Sequence, residues 1–218
     1  MSTKIHIRLD DFPYGTPEDK FKYNQAQLYS KLDVFEDACI QYTLGVTPEL
    51  LCLHDIDKLK QLQFAQFGLH GFNHGLDKWR PSDKDGGEFV AMTREDILGK
   101  FIKNIDVIHR FNFEVFIPPF NVFTQELLDV LNETPMRIIT GGAETIEHNL
   151  TNLHFGNIKL FIAMKFYDKS RALINRIPSI TEGEIIGLHI PWESKEDLID
   201  FVQVIKDNNL ETVHYAIT

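Results

Sequence analysis

The sequence predicts an α/β protein, a distorted (β/α) barrel of about seven to eight mainly parallel strands, on three observations. Strand-like apolar runs alternate with helix-like ones along all 218 residues. Strands separated by crossover helices pair in parallel. The number of such units in this length favours a closed or distorted barrel over an open doubly wound sheet, and short polar clusters fall where apolar strands end, the place where a barrel gathers its chemistry.

The elements follow in order. Lys4–Leu9 alternates Ile5, Ile7 and Leu9 with polar residues and reads as the first strand. A helix is expected over Tyr23–Gln41, where Leu28, Leu32, Phe35 and Cys39 recur at helical spacing. Tyr42–Val46 is a second strand, Ile56–Gln63 a short helix and Ala65–Leu69 a third strand. Leu76 to Gly87 is polar and rich in Gly, Pro and Asp, a long loop of the kind that often carries function. Thr93 is an N-cap with Asp96 at the capping-box distance, opening one long helix through Ile97, Phe101, Ile105 and Ile108. Strand Phe113–Ile117, helix Gln125–Asn132, strands Met136–Thr140, Ile158–Phe166 and Glu184–Ile190, helix Lys195–Asn208 and strand Thr212–Ile217 complete the chain. No repeat, low-complexity tract or linker marks a second domain, so one domain over 1–218 is expected.

Composition narrows the function classes. With 22 Lys and Arg against 32 Asp and Glu, the net charge is -10, which argues against general affinity for nucleic acid or an anionic membrane. No apolar run approaches the roughly 20 residues that span a bilayer, so stable membrane insertion is not expected. The N-terminus leads straight into a strand without a signal-peptide profile, and the expected location is cytoplasmic. Cys39 and Cys52 form no pattern, and two reduced, packed thiols are expected.

Three clusters carry the chemistry. Asp10 and Asp11 close the first strand, where adjacent carboxylates repel unless a cation or proton intervenes; with Pro13 and Gly15 downstream they also suit a solvated turn. His70 and His74 flank Gly71-Phe72-Asn73 directly after a strand. If the chain turns at Gly71 both rings can face one point, although such spacing also arises between unrelated turn histidines. His189, with Trp192, follows Ile185-Ile186-Gly187-Leu188; alone it reads as a core histidine. Three such clusters at strand ends of one sheet point together to a metal-assisted hydrolase, with two histidines and a carboxylate on the ion and the remaining carboxylate and histidine left for proton transfer.

The same residues resemble the motifs of the polysaccharide deacetylase family, also called carbohydrate esterase family 4 or the NodB homology domain. Its Thr-Phe-Asp-Asp-Gly motif is similar to Arg8-Leu9-Asp10-Asp11-Phe12, and its His-x-x-x-His motif matches His70 and His74. Its Pro-Pro loop resembles Ile117-Pro118-Pro119-Phe120-Asn121, and its late histidine motif resembles Ile186-Gly187-Leu188-His189-Ile190-Pro191-Trp192. The resemblance spans nearly the whole chain and implies a NodB-like distorted barrel. Asp11, His70 and His74 would then bind a divalent metal, with zinc the expected ion. Asp10 would be the general base and His189 the general acid. Phe12, Trp79, Pro119, Phe120, Asn121 and Trp192 would line the substrate site. The implied reaction removes an acetyl group from an N-acetylated sugar or glycan precursor, with a surface-polysaccharide (O-antigen) assembly role consistent with a cytoplasmic location.

The sequence departs from the family pattern in three places. Ile117 stands where an arginine usually orients the base, with Asn121 or Arg8 as the available substitutes. Phe12 replaces the glycine after the aspartates, and no aspartate motif supporting the histidine is evident; Glu184 and Glu193 are the nearest acids in sequence. Two other readings therefore stay open: a catalytically silent barrel that binds glycan or a partner, and a hydrolase of another C–N bond. Trp79 and Arg80 either cover a sugar ring or pack on the rim. Glu88 either returns toward the metal or sits exposed before a helix. His54-Asp55 reads as a helix start, Gly141-Gly142 as a weak phosphate signal, and His6, His109, His148, His154 and His214 as packing or surface residues.

Overall fold

The computed structural model describes residues 2–13, 25–51, 53–74, 87–142, 158, 160–164 and 166–216. The strands are β1 (Thr3–Phe12), β2 (Tyr42–Val46), β3 (Ala65–Leu69), β4 (Val115–Phe116), β5 (Ile138–Gly142), β6 (Leu160–Met164), β7 (Phe166–Tyr167), β8 (Ile185–His189) and β9 (Leu210–Thr212). Every pairing between them is parallel, in the order β6-β5-β4-β3-β2-β1-β8-β7, with β9 on the first residues of β1. Only residue 165 separates β6, which pairs β5, from β7, which pairs β8. One continuous run thus bridges the two ends of the sheet and curls it into the expected distorted barrel.

The core is built from the helix-facing sides of these strands and the helices that cover them. Ile5, Ile7, Leu9, Leu44, Val46, Leu69, Ile186 and Leu188 are buried in one cluster with Leu32 and Phe35 of helix Gln25–Asp37 and with Leu198, Phe201 and Ile205 of helix Lys195–Asp207. The other described helices are Leu53–Leu59, Arg94–Lys103, Ile105–Phe111, Gln125–Leu131 and Ser170–Ile174. No helix among the described residues is long and apolar enough to cross a membrane. Cys39 is exposed rather than packed, in the left-handed region just after the first described helix.

Several boundaries differ from those expected, each for a local reason. The capping box at Thr93 is present, with Asp96 Oδ2 accepting from Thr93 N. The single long helix it opens is two helices, because Asn104 leaves helical geometry (φ -106°, ψ 13°). Its side chain donates to Lys100 O and to Glu49 Oε1, competing with the helical ladder. The strand expected over Phe113–Ile117 is paired only at Val115 and Phe116, since Pro118 has no N–H to continue it. The last strand lies earlier than expected: beyond Thr212 the N–H groups of His214 and Tyr215 donate to the side chains of Gln41 and Gln66, not to a strand. The loop from Leu76 to residue 86 lies outside the described residues.

Candidate active site

Parallel pairing places the C-terminal ends of β1, β3, β4 and β8 side by side. In a regular strand Asp10 and Asp11 would face opposite sides, because side chains alternate. Here the pairing of β1 with β2 slips between Leu9 and Phe12, a bulge, and Asp11 adopts φ 67°. Aspartate tolerates this region better than most residues. The bulge turns both carboxylates inward, and Asp10 and Asp11 are each 1% exposed.

The histidines are delivered by a tight turn. His70 N donates to Val46 O, which continues the ladder one residue past β3. Gly71 (φ 62°) then reverses the chain and His74 (φ 59°) closes the turn. Glu88 is neither an exposed residue nor one of the clustered ligands. It is buried, and its carboxylate accepts from Phe72 N (3.0 Å) and Asn73 N (3.4 Å) while Lys100 pairs with it at 3.2 Å. Glu88 thereby caps the turn that carries both imidazoles.

Asp11, His70 and His74 converge, with one ligand atom from each lying within 4.8 Å of the others. Both Nε2 atoms are 3.1 Å from Asp11 Oδ1. His70 Nδ1 is 2.9 Å from Ile117 O, and since a carbonyl only accepts, that nitrogen carries hydrogen. A neutral His70 then aims the lone pair of Nε2 at a carboxylate oxygen, an arrangement that a cation between them satisfies. Asp11 Oδ2 is buried with no hydrogen-bond partner. This donor set fits a divalent metal of the zinc type. Burial pushes the Asp11 carboxyl up, but the His74 charge and hydrogen bonds from both histidines outweigh it and hold the group far below its ordinary range. Burial lowers the His70 pKa, yet its bond to Asp11, the charges of Asp10 and Asp11, and the Ile117 carbonyl raise it overall.

Asp10 and His189 stand beside the triad. They are register partners on β1 and β8, and His189 Nε2 is 3.6 Å from Asp11 Oδ2. Burial lowers the His189 pKa, against the charges of Asp11 and Asp10, with His70 and Arg8 acting with burial. Asp10 Oδ2 accepts from Arg8 Nη2 at 2.6 Å, and Asn121 Oδ1 accepts from the same nitrogen at 3.0 Å. Phe120 and Trp192 are each 43% exposed. Phe120 packs on the His74 ring (4.6 Å between centroids) and Trp192 stands edge-on to His189 (5.0 Å). Pro119 is buried against Gly71.

Phe12 is not brought to the site surface. It is buried, with its ring edge-on to Tyr29, because the bulge that turns Asp11 inward sends Phe12 into the core. Trp79 lies outside the described residues. Glu193 Oε2 accepts from the backbone N–H and the hydroxyl of Ser170.

No family model and no curated protein sequence matches the chain. Solved structures do. The Xyl-CE4 domain of a multidomain xylanase from the hindgut metagenome of Trinervitermes trinervoides superposes with a TM-score of 0.63 at 13% identity, over 98% of this chain and 87% of that one. The chain has the carbohydrate esterase family 4 fold. A family 4 acetyl xylan esterase from Clostridium thermocellum, solved with a cobalt ion, gives 0.62 at 14% identity over 96% and 87% of the two chains. A pseudoenzyme of the family from Bacillus anthracis gives 0.58 at 14% identity over 97% of this chain and 63% of that one. The family 4 fold agrees with the fold that the motif resemblance implies.

Sequence reasoning missed two features of this site. The Glu88 cap had no signal beyond an acidic residue at the end of a polar loop. The bulge in β1 had none.

Proposed function

We propose that this chain is a metal-dependent amide hydrolase that removes an acetyl group from an N-acetylated sugar or glycan precursor. The observation that carries the reading is the buried convergence of Asp11, His70 and His74, with Asp10 and His189 adjoining it. A divalent ion, zinc most readily, would be held by those three residues and would supply Lewis acidity toward the acetyl carbonyl and the attacking water. Asp10 takes the proton of that water at Oδ1, the oxygen that Arg8 leaves without a partner. His189 delivers a proton to the departing sugar nitrogen, a poor leaving group as the free anion. Pro118 and Pro119 carry no N–H and Asn121 N–H is engaged by Pro118 O, so the loop donor assigned to the tetrahedral oxyanion is the Phe120 N–H. Phe120 and Trp192 offer exposed aromatic faces, to which the C–H face of a pyranose is complementary.

The finer assignments belong to the same proposal. They are a single domain over 1–218, a cytoplasmic location and a place in surface-polysaccharide assembly, where nucleotide sugars or lipid-linked glycans are the acetylated molecules met. A second reading, a silent glycan- or partner-binding barrel, draws on Ile117 in place of arginine and on the pseudoenzyme neighbour.

Metal analysis of the purified chain, with acetate release from chitooligosaccharides and UDP-N-acetylglucosamine, separates the two. Bound metal that His70→Ala and Asp11→Ala abolish, together with acetate release, is the expected result. Bound metal without release from any acetylated sugar would favour the binding role or another hydrolysed C–N bond. A protein that takes up no metal would overturn the proposal.

A further inference from the structure

Arg8 is 1% exposed, an unusual place for a guanidinium, and its Nε is buried with no hydrogen-bond partner. Arg8 lies two residues before Asp10 on β1 and so shares its face. Each terminal nitrogen is committed. Nη2 donates to Asp10 Oδ2 (2.6 Å) and Asn121 Oδ1 (3.0 Å), and Nη1 donates to Thr140 Oγ1 (2.8 Å) and Thr140 O (3.3 Å). The contacts tie β1 to β5 and to the loop after β4, so the plane of the guanidinium is fixed from three directions. The side chain of Ile117 cannot share the task. It is aliphatic and fills the space over Gly45 and Gly68, its Cδ1 lying 3.3 and 2.8 Å from where their Cβ atoms would be.

We propose that Arg8 is the positioning residue for Asp10, its guanidinium anchored by Asn121 and Thr140 and clamping Oδ2 so that Oδ1 is presented to the reacting water. The catalytic consequence rests on the hydrolase reading; the clamp itself does not. A fork-shaped cation is required, because a lysine ammonium is a point charge that cannot reach Asp10, Asn121 and Thr140 in one plane.

The test compares crystal structures, zinc affinity and steady-state kinetics of the full chain with Arg8→Gln and Arg8→Lys. In Arg8→Gln the Asp10 carboxylate rotates away from its wild-type orientation, zinc affinity and KM stay within about threefold, and kcat falls on the order of 100-fold. Arg8→Lys is intermediate in kcat. A carboxylate that keeps its wild-type orientation in Arg8→Gln, or an unchanged kcat, overturns the proposal, because a merely structural arginine would move neither selectively. Should Arg8→Gln not fold, Asn121→Ala removes one anchor only: kcat then falls roughly fivefold at constant KM, and no change in either kcat or carboxylate placement refutes the clamp. If the wild-type protein releases no acetate, the hydrolase reading falls while the orientation of Asp10 in the two structures still decides the role of Arg8.

Discussion

Gly71→Ala tests the turn that carries the two imidazoles. At φ 62° an alanine is strained by about 1–2 kcal/mol. The new Cβ would also overlap Glu88 Oε2 and come within 2.6 Å of Pro119 Cγ. Both contacts are too close to persist, and the Glu88 carboxylate, at the end of the more flexible side chain, is displaced furthest. That carboxylate would then leave Phe72 N–H and Asn73 N–H, and each hydrogen bond to a charged group is worth about 1.5–3 kcal/mol. Strain and lost bonds together destabilise the fold by about 4–8 kcal/mol, a fall in Tm between about 8 and 32 °C for a chain of this size. Zinc affinity, read by calorimetric titration of the folded variant, weakens by about 10-fold or more because the ligands lose their outer support. The control is Gly99→Ala in the helix Arg94–Lys103, where a Cβ meets nothing within 4 Å; that change is expected to stabilise by about 0.5–1 kcal/mol. A Gly71→Ala protein that melts within about 2 °C of wild type and binds zinc unchanged would refute the account of the turn.

Asp10→Asn keeps an oxygen for Arg8 and removes the proton acceptor. It is expected to retain bound metal while kcat falls by at least about 100-fold, and a variant that deacetylates at the wild-type rate would remove Asp10 from the mechanism. His6 supplies a pH test. Burial lowers its pKa, opposed by a bond to Val213 O and the charge of Glu182 and reinforced by His214, while its ring stacks on Tyr215. The unfolded chain therefore takes up a proton near pH 6.5 that the fold refuses, so this residue stabilises above that pH and loses its contribution as pH falls toward the lowered folded value. His6→Phe keeps the ring and abolishes the titration. The Tm gap between wild type and variant should shrink from pH 7.5 to 5.5 (both about these values), and a gap independent of pH would exclude this linkage.

Much of the fold was legible because it rests on periodicity. Ile5, Ile7 and Leu9 alternate as a half-buried strand must, and Ala65–Leu69 was bounded correctly because His70 and Gly71 follow it at once. The clustering of Asp11, His70, His74 and His189 was legible for the same reason, since parallel strands align their C-terminal ends. Where a side chain overrides the local pattern, the sequence is silent. Asn104 breaks a helix that Ile97, Phe101, Ile105 and Ile108 support by spacing, because its amide finds Glu49, a partner far away in the chain. Alternation would place Asp10 and Asp11 on opposite faces, and only the bulge against β2 brings them together. The partner of Asp10 was narrowed to Arg8 or Asn121, and three-dimensional structure joins the two: Arg8 donates to both.

The position of β1 between β2 and β8 has a consequence for biogenesis. The strand leaves the ribosome well before β8, and one of its edges is matched only when residues 185–189 emerge. Until then it carries an unsatisfied row of amides and carbonyls beside two aspartates that find their histidine neighbour only when β8 emerges. An edge held open that long invites pairing with other chains, and the acidic doublet at its tip, before His189 arrives, is a charge that discourages it.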